Sequence, residues 1–136
     1  MNDEDLRRAV GAGVRAALPG VRWLALFGSR ARGDARHDSD VDVAVLACEP
    51  IAEERLRAVR GDLEIAVGRD VHLIDLRRVS TVLRSQVVAD ADVLFAAGDA
   101  DSEQFLDFVL SDYARLNEER RDILRDVHER GSVLGG

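Results

Sequence analysis

Two short apolar segments on either side of a polar loop are the feature that most constrains the fold. Residues 21–27 (VRWLALF) form an apolar run that ends at Gly28, as a buried strand would. Residues 40–47 (DVDVAVLA) alternate, so the side chains of Asp40 and Asp42 point to one face of a second strand. The valines between and after them point to the other face. The pattern predicts a strand–turn–strand unit that carries two carboxylates at the start of its second strand.

Strands alternate with helices along the whole chain. Acidic residues lead the first helical pattern, and Pro50 starts another. A long charged segment with an apolar stripe is expected to form the C-terminal helix. A few strands among helices favour an α/β or α+β fold, with the helices packed on one side of a small sheet. We predict helices over 3–17, 50–66, 79–90 and 102–130, and strands over 21–27, 40–47, 70–76 and 92–96.

Length, charge and composition narrow the function classes. The chain has 136 residues, and we expect residues 1–136 to form a single domain. Its net charge of −7 disfavours general nucleic-acid binding, and a single cysteine, Cys48, excludes an internal disulfide. The sequence shows neither a signal peptide nor an apolar run of membrane-spanning length, so we expect a cytoplasmic protein that does not enter a membrane.

The polar loop and the start of the second strand carry the residues suited to phosphate chemistry. Asp40 and Asp42 share a strand face, where two carboxylates repel each other unless a divalent cation such as Mg²⁺ lies between them. Gly28 permits a close approach of the backbone to a ligand, and Ser29 can offer a hydroxyl and an N–H to a phosphate. Phosphoryl transfer depends mainly on positioning and charge neutralisation. Further positive charge near the loop comes from Arg30, Arg32 and Arg36.

This constellation resembles a known signature. Gly28-Ser29, ten intervening residues and then Asp40-Val41-Asp42, set between two strands, is similar to the motif of the polymerase β-like nucleotidyltransferases. The later segment VHLIDLRRVSTVLRSQVV, followed by a short strand and a long helix, looks like the minimal nucleotidyltransferases. The resemblance covers nearly the whole chain. It implies the polymerase β-like nucleotidyltransferase fold, with a small mixed sheet and a long C-terminal helix.

The resemblance also implies an activity and a partner. Minimal nucleotidyltransferases are typically antitoxins paired with a helical HEPN ribonuclease toxin, and they transfer AMP from ATP to a tyrosine of that toxin. By this resemblance the chain would use ATP and Mg²⁺ and would form a hetero-oligomer with the toxin. The implied ATP-binding residues are Gly28, Ser29, Arg30 and Ser39; the implied metal-binding and catalytic residues are Asp40 and Asp42.

The third predicted strand departs from the family pattern. Minimal nucleotidyltransferases commonly read V-D-L-V-D-L where residues 71–76 of this chain read VHLIDL, so His72 stands where the third catalytic carboxylate is expected. His72 could serve as a base or metal ligand instead. Alternatively, the chain binds ATP but transfers AMP weakly or not at all. As a third alternative, Asp70 or Asp75 supplies the carboxylate, although Asp75 faces the opposite side of the strand from His72.

Two other functions are consistent with these residues. A catalytically weak or inactive antitoxin would neutralise the HEPN toxin by direct binding, and the histidine at position 72 favours this alternative. A small-molecule nucleotidyltransferase is less favoured, because so short a chain lacks a separate acceptor domain. In either antitoxin, we expect the outer face of the C-terminal helix to contact the toxin.

Overall fold

The computed structural model describes residues 1–33 and 39–134, with the backbone alone for residue 32 and for 126–134. Helices and strands alternate through these residues, and each predicted element is found within a few residues of its expected bounds. The elements are α1 (Asp3–Ala17), β1 (Val21–Phe27), α2 (Ser29–Arg32), β2 (Val41–Ala47), α3 (Glu53–Val67), β3 (Val71–Asp75), α4 (Thr81–Asp90), β4 (Asp92–Ala96) and α5 (Ala100–Leu134).

The four strands form one mixed sheet in the order β3-β2-β1-β4. β1 pairs antiparallel with both β2 and β4. β2 pairs parallel with β3, and α3 makes the connection that parallel neighbours require. The expected mixed sheet and long C-terminal helix are confirmed.

The hydrophobic core lies on both faces of the sheet. α1 and α3 cover one face, and α4 with the first turns of α5 covers the other. This arrangement corrects our expectation that the helices pack on one side. The reason lies in β2, where residues 43–47 are all buried, as in a strand between two helical layers. The first layer includes Leu6, Val10, Val14, Val43, Leu63 and Leu73, and the second includes Trp23, Ala25, Ala44, Leu46, Ile74 and Val87.

Side-chain caps set the starts of three helices. Asn2 accepts a hydrogen bond from the N–H of Asp5, and Ser80 accepts one from the N–H of Leu83, as N-cap residues do. Asp99 accepts from both the N–H and the hydroxyl of Ser102, so α5 begins earlier than the predicted 102. At 35 residues, α5 is about 50 Å long. Among the described residues, no helix is long and apolar enough to cross a membrane.

Arginine side chains brace several loops by donating to main-chain carbonyls. The sequence has 19 basic residues and no lysine, so every long cation is a planar guanidinium with five donors. Such bonds are charge-assisted and stronger than bonds between neutral groups. The pairs are Arg30 with Ser39, Arg55 with Ala17, Arg77 with Ala47, Arg78 with Ile51, and Arg84 with Leu76.

Two glycines of α1 provide a matched test of the contact between α1 and α3. A Cβ at Gly13 would lie 2.9 Å from Leu63 Cδ2, whereas a Cβ at Gly11 would meet nothing within 4 Å. Replacing a helix-interior glycine by alanine normally stabilises a protein by about 0.5–1 kcal/mol. We expect Gly11→Ala to raise the free energy of unfolding by this amount. Gly13→Ala should gain less or lose stability, because the buried Leu63 must shift. Guanidinium chloride unfolding measures both, and equal gains would contradict the contact.

Candidate active site

The antiparallel pairing of β1 with β2 brings the two ends of the polar loop together. Phe27, the last residue of β1, lies opposite Asp42, so Gly28 follows directly beside this carboxylate. Gly28 has φ 71° and ψ −147°, a conformation that is essentially restricted to glycine. A Cβ at this position would collide with Asp42 Oδ2 and lie 3.3 Å from the carboxyl carbon. Position 28 therefore requires glycine both for its backbone conformation and for the space that Asp42 occupies.

The parallel pairing of β2 with β3 places His72 on the other side of Asp42. The two residues are direct partners in the register, and His72 Nδ1 lies 3.4 Å from Asp42 Oδ1. The His72 side chain is 62% exposed and the Asp42 side chain 26% exposed, so both remain accessible to a ligand. The ring of Phe27 stands 6.1 Å from the imidazole, centroid to centroid. The structure thus gathers Gly28, Asp42 and His72 at one end of the sheet.

Asp40, Ser29 and Ser39 lie along the chain next to this group. Asp40 is exposed and precedes β2, while Ser29 is the first residue of the short α2. Ser39 is half-buried, and its carbonyl accepts a hydrogen bond from Arg30 Nη2 at 2.7 Å. Within the described ranges, no group of three or more His, Cys, Asp or Glu side chains could hold a metal ion. Two accessible carboxylates do suit Mg²⁺, which is usually bound by one or two carboxylates and completed by water and phosphate.

Asp75 is used by the fold and lies away from Asp42. Its side chain is 1% exposed, and its Oδ2 accepts a hydrogen bond from the N–H of Ile51 at 2.8 Å. Its Oδ1 accepts from the N–H of Arg77 at 3.0 Å, so the carboxylate ties the loops after β2 and β3 together. Asp75 pairs in register with Val45, three positions beyond the pair that contains His72. His72, and not Asp75, therefore lies beside Asp42.

Asp70 and the arginines of the loop have other surroundings. Asp70 is exposed just before β3, and its carbonyl accepts from the N–H of Val41 at 2.9 Å. The Arg30 side chain is only 7% exposed and is engaged with the Ser39 carbonyl, a contact that nothing in the sequence pattern indicated. Residues 34–38, which include Arg36, lie outside the described residues, as does the side chain of Arg32.

Residues 16–100 match the family model described as polymerase beta, nucleotidyltransferase, a span that contains all the residues of the candidate site. The chain belongs to this nucleotidyltransferase family. The resemblance seen in the Gly-Ser and Asp-x-Asp residues is therefore confirmed.

Several proteins similar to this chain were solved in toxin–antitoxin complexes. The chain is 36% identical over 114 residues to the protein adenylyltransferase MntA of Shewanella oneidensis, covering 84% of this chain and 81% of MntA. A solved toxin–antitoxin structure with AMP-PNP matches with a TM-score of 0.73 at 34% identity, covering 90% of this chain and 98% of that one. A chain of the complex between tri-AMPylated Shewanella oneidensis HEPN toxin and MNT antitoxin matches with a TM-score of 0.68 at 32% identity, covering 90% of this chain and 96% of that one.

A double-mutant cycle tests the contact between position 28 and Asp42. Gly28→Ala should destabilise the nucleotidyltransferase, because the new Cβ meets the Asp42 carboxylate. In an Asp42→Ala background the same change should cost about 0.5–3 kcal/mol less, the range typical of residues in contact. Gly33→Ala is the matched control: Gly33 also has positive φ, at 78°, but a Cβ there meets no atom of the described residues within 4 Å. Gly33→Ala should lower the free energy of unfolding by the same amount with and without Asp42→Ala. If Gly28→Ala also lowered it equally in both backgrounds, the contact with Asp42 would be disproved.

Proposed function

We propose that this chain is an antitoxin-type nucleotidyltransferase that transfers AMP from ATP to a tyrosine of a helical HEPN ribonuclease toxin and thereby neutralises it. The observation that carries the proposal is the packing of Asp42 between Gly28 and His72 at the end of the sheet. Support also comes from the 36% identity to a protein adenylyltransferase and from similarity to antitoxins solved with AMP-PNP and with an AMPylated toxin. We place the protein in the cytoplasm, where ATP and Mg²⁺ are available, with no direct nucleic-acid ligand.

Different residues of the loop would bind the phosphates and the metal ion of ATP. Gly28 has no side chain, so the triphosphate can approach the backbone, and Ser29 offers its hydroxyl and N–H to a phosphate oxygen. Ser39 lies at the other end of the loop, next to Asp40. Asp40 and Asp42 would hold Mg²⁺, which supplies charge neutralisation for the phosphates. In this arrangement the chain contributes position and electrostatics, which dominate phosphoryl transfer.

The reaction itself is one displacement at phosphorus. The tyrosine hydroxyl oxygen forms a bond to the α-phosphorus of ATP, the bond from that phosphorus to the bridging oxygen breaks, and pyrophosphate leaves. The hydroxyl proton must pass to a base. We assign this role to His72, whose imidazole nitrogen can accept a proton and which lies beside Asp42 on an accessible face.

The outer face of α5 supports binding of a protein partner. Among its described side chains, Phe108 is 65% exposed, Ile123 61% and Leu124 58%. Residues 118–125 are exposed on every side, so this part of the helix extends beyond the core of the chain. Apolar side chains exposed on a projecting helix are typical of a surface that a partner covers, and we propose the HEPN toxin as that partner.

Intact mass of the HEPN partner, before and after incubation with this protein, ATP and Mg²⁺, tests the proposed activity. We expect a mass increase of one or more adenylyl groups, because ATP is the AMP donor. Asp42→Asn keeps the shape of the side chain but removes its charge, and it should abolish the increase, as should Asp40→Asn. Full transfer by either variant would refute the assignment of the two carboxylates.

The position of His72 also favours a second candidate function. With a histidine in place of the third carboxylate, the chain could neutralise the toxin by binding alone. In that case the partner's mass would stay unchanged while the two proteins form a tight complex and ribonuclease activity is lost. Asp42→Asn would then neutralise the toxin as well as the unmodified chain does, when both are present in excess.

Substitutions at position 72 test the proposed base. His72→Ala should slow AMP transfer by about 10²- to 10⁴-fold, the contribution typical of a general base. His72→Asp should retain transfer, because it supplies the carboxylate that related enzymes carry on this strand. Asp70→Asn is the control, since Asp70 is exposed two residues away and should leave the rate unchanged. A time course of the partner's mass measures all three; loss of transfer in Asp70→Asn alone would assign the third carboxylate to Asp70.

A further inference from the structure

Arg30 is a buried cation that, among the described residues, forms an ion pair with a single carboxylate, that of Asp3. Its side chain is 7% exposed, and its Nη1 lies 3.7 Å from Oδ1 of Asp3, whose side chain is 95% exposed. An ion pair with so exposed a carboxylate contributes little, because water screens it. The buried Nε of Arg30 has no hydrogen-bond partner among the described residues. Since burying a guanidinium is costly, the ion pair with Asp3 does not account for its position.

Among the described residues, the closest polar contact of the Arg30 side chain is with the main chain on the other side of the loop. Its Nη2 donates a hydrogen bond to the Ser39 carbonyl oxygen at 2.7 Å. A bond from a guanidinium is charge-assisted and roughly twice as strong as a bond between neutral groups. Arg30 comes two residues after Gly28, and Ser39 directly precedes Asp40. The bond therefore joins the two ends of the polar loop where each meets the candidate site.

The hydrogen bond from Arg30 to Ser39 lies next to the two carboxylates of the candidate site. Asp40 and Asp42 carry like charges at the start of β2, and their repulsion favours moving apart when no cation is bound. Between them, the N–H of Val41 donates to the Asp70 carbonyl at 2.9 Å, which fixes the strand on its β3 side. On the opposite side of β2, where β1 lies, Arg30 holds the carbonyl of Ser39, the residue just before Asp40. Together the two bonds restrain the segment from both sides.

We propose that Arg30 is a positioning residue, which fixes the Ser39 carbonyl and thereby aligns Asp40 and Asp42 for the metal ion without touching the nucleotide. This inference rests on the proposed function, because the metal belongs to that reaction. It gives Arg30 a different role from the direct ATP contact that the sequence resemblance implied. Outer-shell partners of metal ligands contribute about 10- to 100-fold to metal affinity or activity, and we expect an effect of this size.

Direct metal binding provides the decisive measurement. Mn²⁺ is titrated in place of Mg²⁺ and its free fraction is read by electron paramagnetic resonance. The titration includes α,β-methylene ATP, whose bridge cannot be cleaved. Arg30→Gln should weaken Mn²⁺ binding by about tenfold or more. Binding of the same nucleotide in EDTA should stay at the value of the unmodified chain, because Arg30 does not touch it.

Arg55→Gln is the matched control. Arg55 Nη2 also donates to a main-chain carbonyl, that of Ala17, at 2.7 Å, but it joins α3 to the end of α1 and lies away from the carboxylates. Its loss should leave Mn²⁺ binding unchanged. If Arg30→Gln does not fold, as judged by circular dichroism, Arg30→Lys replaces it: lysine keeps the charge but lacks the planar fork, so weaker Mn²⁺ binding is still expected.

Chemical rescue separates positioning from general stability. Arg30 lines a partly open cavity of about 260 Å³ together with Leu6, Leu26 and Gly33. Arg30→Ala would enlarge this cavity, so methylguanidinium can enter and donate to the Ser39 carbonyl. We expect methylguanidinium to restore Mn²⁺ affinity in Arg30→Ala, and methylammonium, which has no planar fork, to restore less.

Several outcomes would overturn the inference. Unchanged Mn²⁺ affinity in a folded Arg30 variant would remove the positioning role, and an equal loss of nucleotide binding in EDTA would make Arg30 a nucleotide ligand. If the unmodified chain transfers no AMP but its Mn²⁺ binding still depends on Arg30, the proposed activity fails and the positioning role stands. If the unmodified chain binds no Mn²⁺ with the nucleotide, both fail.

Discussion

The pairing register of β1 and β2 is the constraint on which the site depends. Because Phe27 lies opposite Asp42, the chain must leave β1 beside a carboxylate, and only a residue without a side chain fits there. A shift of one residue would turn Asp42 toward the opposite face, since side chains alternate along a strand. Val41, Val43 and Val45 of β2 are buried against α1 and α3, which holds the register, so the core fixes the geometry of the candidate site.

The second neighbour of Asp42 comes from a long-range pairing. β3 returns parallel to β2 after α3, and this crossover sets His72 directly beside Asp42. The same strand buries Asp75 on the other face, where its carboxylate receives hydrogen bonds from two backbone N–H groups. His72 and Asp75, only three residues apart, thus have different roles. Asp75 holds the loops of the fold, and His72 faces solvent at the candidate site.

Arginine has a structural role in this chain that its charge alone does not indicate. The sequence has no lysine, and the guanidinium groups of Arg77 and Arg78 donate hydrogen bonds to main-chain carbonyls at the end of β2 and in the loop after it. Arg77 and Arg84 also lie over the ring of Phe105, which links both the loop after β3 and the helix α4 to α5. Charged side chains therefore connect elements that have few aromatic residues to pack between them.

The sequence by itself determined the order and type of the main elements, and it indicated the local part of the candidate site. Apolar periodicity is a local property, and Gly28, Ser29, Asp40 and Asp42 lie close enough in the chain for one loop to gather them. The tertiary structure decided which layer each helix joins, because a strand buried on both faces shows no preference between them. It also decided that His72 neighbours Asp42 and that Arg30 contacts Ser39. Both contacts depend on strand pairing and burial. These bring together residues that are separated in the sequence, and no periodic pattern in the sequence indicates which of them will meet.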